Sequence, residues 1–268
     1  NASCYNMNTR SFYENYLRNL SLEQNNLSGS VPFFVPFPKI DPHEGINPFL
    51  VSDGAAVWSD VATVLPFQLY RHYKDKALLA KNLEVMENWV NYVYERDVAN
   101  GSKHLWNFDR QLGDWLALDT DDSRNPIGAT DPNLIASIYY YKSTSNLAKC
   151  LQFLEDERAE KYMQLATEIH QAIVDEYFIN NKLLLKKVTQ TALALLLRNS
   201  LYPSEQAKKE LQIKLIELLK SNNNFLNTGF VGTPELTHAL AENNFSEAAY
   251  TLLLNEECPG WLYEVNQG

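Results

Sequence analysis

Gly113-Asp114-Trp115-Leu116-Ala117-Leu118-Asp119 is the densest run of groups that could do chemistry in this chain. A carboxylate beside an indole suits a carbohydrate, because the aromatic face packs on sugar C–H bonds while the carboxylate accepts hydrogen bonds from hydroxyls. A second run, Asp53 to Asp60, sets Trp58 before Ser59 and Asp60 at the entry to a helix. A third, Pro259 to Glu264, combines Trp261 and Tyr263 with Glu264. Three of the five tryptophans thus stand close to Asp or Glu outside helix interiors. Each run also has a plainer reading: Trp115 as a core residue beside a turn aspartate, and Ser59 and Asp60 as a helix cap over a packed Trp58.

Other chemistries find less support. Asp119, Asp121 and Asp122 resemble a cation loop but lack the Gly and distal Glu of an EF-hand, so a solvated acidic turn fits them better. Gly229-Phe230-Val231-Gly232-Thr233 lacks the Lys of a phosphate-binding loop, and no Gly-x-Ser-x-Gly elbow occurs. His170 and His238 fall in helical stretches, while His43, His72 and His104 have no motif around them. The adjacent rings of Tyr139-Tyr140-Tyr141 point different ways around a helix and read as packing.

Helical periodicity must position these runs. Phe12, Tyr16 and Leu20 mark one helix, Ser59 to Tyr73 a second, and Leu78 to Tyr94 a long third. Ile135–Leu154, Ala159–Phe178, Thr189–Arg198, Ser204–Leu219, Pro234–Ala241 and Ser246–Leu254 follow. Asp131-Pro132 and Pro203-Ser204-Glu205 carry helix-start signals. Asn222-Asn223-Asn224 and the Gly229–Gly232 stretch punctuate the gaps. Lys182 to Val188 is the single strand candidate. Two long stretches read as irregular, Val31–Asp53 with five prolines among aromatics and Glu95–Asp131 with Trp106, Trp115 and a dense set of aspartates. Helices in pairs joined by long ordered loops predict an all-α fold of the (α/α)6 toroid type, with both loops at one end. The expectation is one domain over residues 1–268.

Composition limits the partners. Asp and Glu exceed Lys and Arg by 33 to 23, a net charge of −10, which excludes a phosphate-backbone partner and so argues against nucleic acid. No apolar run is long enough to cross a membrane, and no leader segment is visible. Cys4, Cys150 and Cys258, odd in number and widely spaced, fit reduced thiols in the cytoplasm and no zinc site.

Taken in order, the runs resemble the bacterial α-L-rhamnosidases of glycoside hydrolase family 78. Trp58-Ser59-Asp60, with Val64-Leu65-Pro66 and Leu69-Tyr70 downstream, is similar to that family's Trp-Gly-Asp helix entry, Ser59 replacing the usual Gly. Gly113-Asp114-Trp115-Leu116 is similar to its Gly-Asp-Trp-Leu loop, and Leu134-Ile135-Ala136 with Tyr139-Tyr140 to the helix after it. Thr189-Gln190-Thr191-Ala192 and Thr228-Gly229-Phe230-Val231-Gly232-Thr233-Pro234 are the most specific matches, although Phe225 stands where the family often has His. Pro259-Gly260-Trp261-Leu262-Tyr263-Glu264-Val265 then leads to Gln267-Gly268.

The resemblance implies inverting hydrolysis of terminal non-reducing α-L-rhamnosides through an oxocarbenium-like transition state, with no metal or organic cofactor. It implies that Trp58 and Trp115 line the rhamnose pocket. Asp60 and Asp114, their neighbours, orient loops or reach a hydroxyl, and Trp261 and Glu264 lie near the general base. The family's acid is a Glu in an Arg-Asp-Glu-Arg stretch before the helix that begins here near Ser11. Its base is a Glu in a Thr-Thr-Ile-Trp-Glu stretch after the Gly matched by Gly268. Neither stretch occurs in these 268 residues. The expectation is therefore most of a catalytic domain, truncated at both ends, inactive alone and prone to self-association through uncovered helix faces. Two rival readings stand beside it. One is another α/α glycosidase acting on glucosides or uronates, with Arg110 and Arg124 holding a carboxylate. The other is a non-catalytic carbohydrate-binding remnant or scaffold.

Overall fold

The computed structural model describes residues 2–37, 54–120, 122 and 124–268. Asp53, Asp121, His43 and the prolines Pro38, Pro42 and Pro48 lie outside the described residues. The chain forms two compact units, Asn1–Arg110 with Tyr139–Ile169, and Gln111–Ile138 with His170–Gly268.

The first unit holds a short 3-10 turn at Ala2–Tyr5, then α1 (Arg10–Asn26), α2 (Val61–Tyr73), α3 (Lys76–Lys81) and α4 (Leu83–Ala99). It also takes most of α5 (Pro132–Phe153) and the first part of α6 (Ala159–Tyr177). Leu17, Leu65, Leu69 and Leu78 meet in its core, with Tyr13, Tyr16, Val61 and Tyr73 partly buried against them. Trp89, Trp106, Tyr140 and Tyr162 are its largest fully buried side chains. Each such leucine contributes about 1.5–3 kcal/mol of burial.

Leu78 to Tyr94 is not one helix. Asn82 ends α3 with φ −108° and ψ 4°, and its Nδ2 donates to the Leu78 carbonyl at 2.7 Å. A side-chain amide thus replaces the backbone donor that would carry the helix onward. The apolar spacing persists through the break because both helices present the same kind of face to the core, so periodicity alone reads them as one. Helix α4 also runs to Ala99, further than the sequence pattern marked.

In the second unit a minimal hairpin pairs β1 (Phe178–Ile179) with β2 (Lys182–Leu183), turning through Asn180 and Asn181 at φ +50° and +66°. The strand expected over Lys182–Val188 is confined to these two residues. Four helices follow: α7 (Gln190–Arg198), α8 (Glu205–Ser221), α9 (Thr233–Glu242) and α10 (Ser246–Leu253), and then α11 (Trp261–Gln267). Helix α7 is buried from Gln190 through Leu197 and packs against both α8 and α9. The expected starts appear as capping bonds: Thr189 Oγ1 accepts from the Ala192 amide at 3.1 Å, Ser204 Oγ from Ala207 at 3.2 Å, and Asp131 Oδ1 from Asn133 at 2.9 Å. Trp261 opens α11, a helix that the aromatic pattern of Pro259–Glu264 did not announce.

No helix among the described residues is long and apolar enough to cross a membrane.

Candidate sugar site

In the first unit, Trp58 is half-buried and Asp60 completely buried. Asp60 occupies the N-cap position of α2 but makes no side-chain cap bond, contrary to its expected capping role. Its carboxylate turns inward instead. Oδ2 accepts the Val57 amide at 2.7 Å, while Oδ1 accepts Trp89 Nε1 at 2.9 Å and the Ser143 hydroxyl. Val57 is β-branched yet held at φ +76°, a conformation such residues rarely adopt and which costs on the order of 1–3 kcal/mol. The Asp60 carboxylate therefore fixes the strained peptide immediately before Trp58. Ser59 is likewise no cap: its Oγ donates to the Val31 carbonyl at 2.7 Å and accepts from Ala55 at 3.1 Å. Gly54 completes the turn, since a Cβ there would come within 2.7 Å of the Trp89 ring.

Burial pushes the Asp60 carboxyl up to about 6, against the opposing pull of the bonds from Ser143, Trp89 and Val57. A carboxyl whose folded value is raised binds its proton more tightly in the native state. Its stabilising contribution is therefore full below the unfolded value near 4 and is lost as pH rises to about 6 and beyond. Asp60→Asn should mimic the protonated acid. Between about pH 4 and 7 the wild type should lose stability relative to the variant, by on the order of 2–3 kcal/mol, read from parallel denaturant titrations. Parallel pH profiles for the two proteins would contradict it.

In the second unit, Asp114 is also fully buried and Trp115 half-buried. Asp114 Oδ2 accepts the Thr191 hydroxyl and the Gly229 amide at 2.8 Å, and Oδ1 accepts the Val231 amide at 2.8 Å and that of Gly232 at 3.1 Å. Gly232 is the N-cap of α9, so a carboxylate from a distant loop seats where unpaired amides and the helix dipole favour an anion. Backbone bonds join the same two loops: Phe230 N to Trp115 O at 2.9 Å and Leu118 N to Asn227 O at 3.0 Å. Leu116 donates to Pro126 O at 2.6 Å while held at φ +61°. Side chains at two glycines would block this approach. A Cβ on Gly229 would lie 2.3 Å from Trp115 O, and one on Gly232 2.1 Å from Thr191 Oγ1. Gly232→Ala should accordingly cost about 1–3 kcal/mol by overpacking, measured as a lowered denaturation midpoint.

The assembly leaves Leu116, Leu118 and Phe230 more than half exposed around Trp115, an apolar surface on braced loops. Trp261 is half-buried and Glu264 exposed on α11. Trp58 and Asp60 thus belong to one unit, and Asp114, Trp115, Trp261 and Glu264 to the other. Sequence reasoning overlooked Thr191 and Ser143 as the hydroxyls that bind the two aspartates: Thr191 stood out only as part of a family motif, and Ser143 lies in a helical stretch with nothing local to mark it. The acidic turn is also engaged: Asp119 accepts from Ala129, and Asp122 is forked by Arg124. Among the described residues, no group of three or more His, Cys, Asp or Glu could hold a metal ion.

The fold is mostly helical, with aromatic loops held by buried carboxylates. The domain family described as bacterial α-L-rhamnosidase six-hairpin glycosidase domain matches residues 1–268, and the chain belongs to it. An α-L-rhamnosidase of Alteromonas sp. (strain LOR) is 33% identical across 99% of this chain and 28% of its own length. The crystal structure of native α-L-rhamnosidase from Aspergillus terreus superposes with a TM-score of 0.83, at 27% identity, over 97% of this chain and 29% of that one. The Streptomyces avermitilis α-L-rhamnosidase complexed with L-rhamnose gives a TM-score of 0.81 at 26% identity, over 97% of this chain and 23% of that one. The chain spans less than a third of the length of each. The all-α class read from the periodicity agrees with the six-hairpin domain family and with these structural matches over 97% of the chain.

Proposed function

We propose that this chain is the helical part of a glycoside hydrolase that removes terminal non-reducing α-L-rhamnose with inversion. The observation that carries the reading is the family match over residues 1–268, supported by a 26% identical structure that was solved with L-rhamnose. Inversion needs a carboxylic acid to protonate the leaving oxygen and a carboxylate to activate water on the opposite face of the ring. The residues of this chain supply walls for the sugar. Each unit offers an indole on a braced loop to a deoxysugar's C–H surface, Trp58 beside Asp60 in the first, and Trp115 beside Asp114 in the second, which also carries Trp261 and Glu264. A neutral sugar suits a chain of net charge −10. Of the two cations in the uronate alternative, Arg124 is forked onto Asp122 in an exposed pair, which disfavours that reading at one of its two positions. A cytoplasmic setting is supported by three free cysteines, with the buried Cys150 thiol pushed up to about 12 and so unreactive.

L-Rhamnose titrated into the full-length gene product should change tryptophan fluorescence with a dissociation constant near millimolar, since each aromatic contact adds only ~0.5–1.5 kcal/mol beyond burial. Trp115→Ala should weaken that response about three- to tenfold. An unchanged titration in the variant would remove Trp115 from the site, and no response to L-rhamnose in the wild type would refute the substrate class.

A further inference from the structure

We infer that Asp114 is a positioning residue that serves the sugar only through Trp115, as the clasp between the Trp115 loop and the loop leading into α9. The inference rests on the function proposed above. Asp114 is 0% exposed, and each of its carboxylate oxygens already accepts two hydrogen bonds from the protein. A carboxylate presents about four lone-pair positions, so none remains for a substrate hydroxyl. All four donors come from outside its own loop: Thr191 on α7, and Gly229, Val231 and Gly232 on the approach to α9. The next residue, Trp115, is held by what those bonds secure. Its carbonyl accepts the Phe230 amide, which lies between the clasped amides of Gly229 and Val231. The Asp114 carbonyl accepts the Ala117 amide at 3.0 Å, closing the turn around the indole. Gly128 packs its backbone against this turn, where a Cβ would come within 2.9 Å of the Asp114 carbonyl. The peptide plane after Trp115 is therefore fixed by a segment that the Asp114 carboxylate holds, and the plane before it by the turn to Ala117.

Asp114→Asn keeps the shape but turns one acceptor oxygen into a donor, facing amides that can only donate. The test uses the full-length protein labelled with 5-fluorotryptophan, the Trp115 resonance being assigned by its loss in Trp115→Phe. Asp114→Asn should shift or broaden the Trp115 signal while leaving that of the fully buried Trp89 in place. Thr191→Val, which removes one donor and keeps the volume, should move the same signal by less. In kinetics with p-nitrophenyl α-L-rhamnoside, Asp114→Asn should raise KM about tenfold in the wild-type background and less than about twofold in Trp115→Ala. An unmoved Trp115 resonance in both Asp114→Asn and Thr191→Val overturns the inference. So does an equal rise in KM with and without Trp115, which would make Asp114 a substrate ligand in its own right. The resonance does not depend on turnover, so a shifted Trp115 signal in a protein that leaves the rhamnoside intact would sink the proposed function and support the clasp.

Discussion

Asp114→Ala should destabilise the protein by roughly 3–5 kcal/mol, because each buried donor left without an acceptor costs about 1–3 kcal/mol. Three amides, of Gly229, Val231 and Gly232, and the Thr191 hydroxyl would lose their acceptor together. Water entering the vacated space recovers part of the loss, which is why the expected total lies below the sum of four such penalties. The N-terminus of α9 would also lose the anion seated against its dipole, a further ~0.3–1 kcal/mol. For a chain of this length the change corresponds to a fall of about 6–15 °C in Tm. Thermal unfolding followed by circular dichroism measures it. A drop of less than about 2 °C would mean that the clasp contributes little to the native state.

Turnover of p-nitrophenyl α-L-rhamnoside by the isolated 268 residues should lie at least ~10⁴-fold below that of the full-length gene product, because acid and base typically contribute ~10²–10⁴-fold each. The resemblance assigns those two roles to glutamates in stretches that this sequence does not contain. The carboxylates in the candidate loops are poor substitutes. Asp114 is saturated with donors and Asp60 is buried among Trp89, Ser143 and Val57, so neither can exchange a proton with a reacting oxygen. Glu264 is exposed on α11, and filling one role would still leave the other empty. The comparison is made at equal concentration across about pH 5 to 8, after circular dichroism has confirmed helical content in both samples. Turnover within about tenfold of the full-length protein would locate acid and base among residues 1–268.

Much of this molecule was legible in its sequence, for a local reason. A helix is written in spacings of three and four residues and its ends in caps, so α1, α2, α5, α7 and α8 follow from Leu17 and Leu20, Leu65 and Leu69, or Ser204 without any distant information. Gly229–Gly232 read only as punctuation between helices, and the close backbone approach there emerged with the fold. What each aspartate does could not be read in this way. Asp114 meets donors 77 to 118 positions away, and Asp60 meets Ser143 across 83. No spacing rule spans such distances, so a carboxylate beside a tryptophan reads equally as a sugar ligand, a turn residue or a cap. The break at Asn82 was hidden for a related reason: an amide that satisfies the Leu78 carbonyl leaves the apolar period intact. Sequence by itself determined most of the helices, their order and the family, but not the α3–α4 break or α11; only the tertiary structure decided that two buried aspartates spend their lone pairs on holding loops, because hydrogen-bond acceptors are claimed by whichever donors the fold brings within reach.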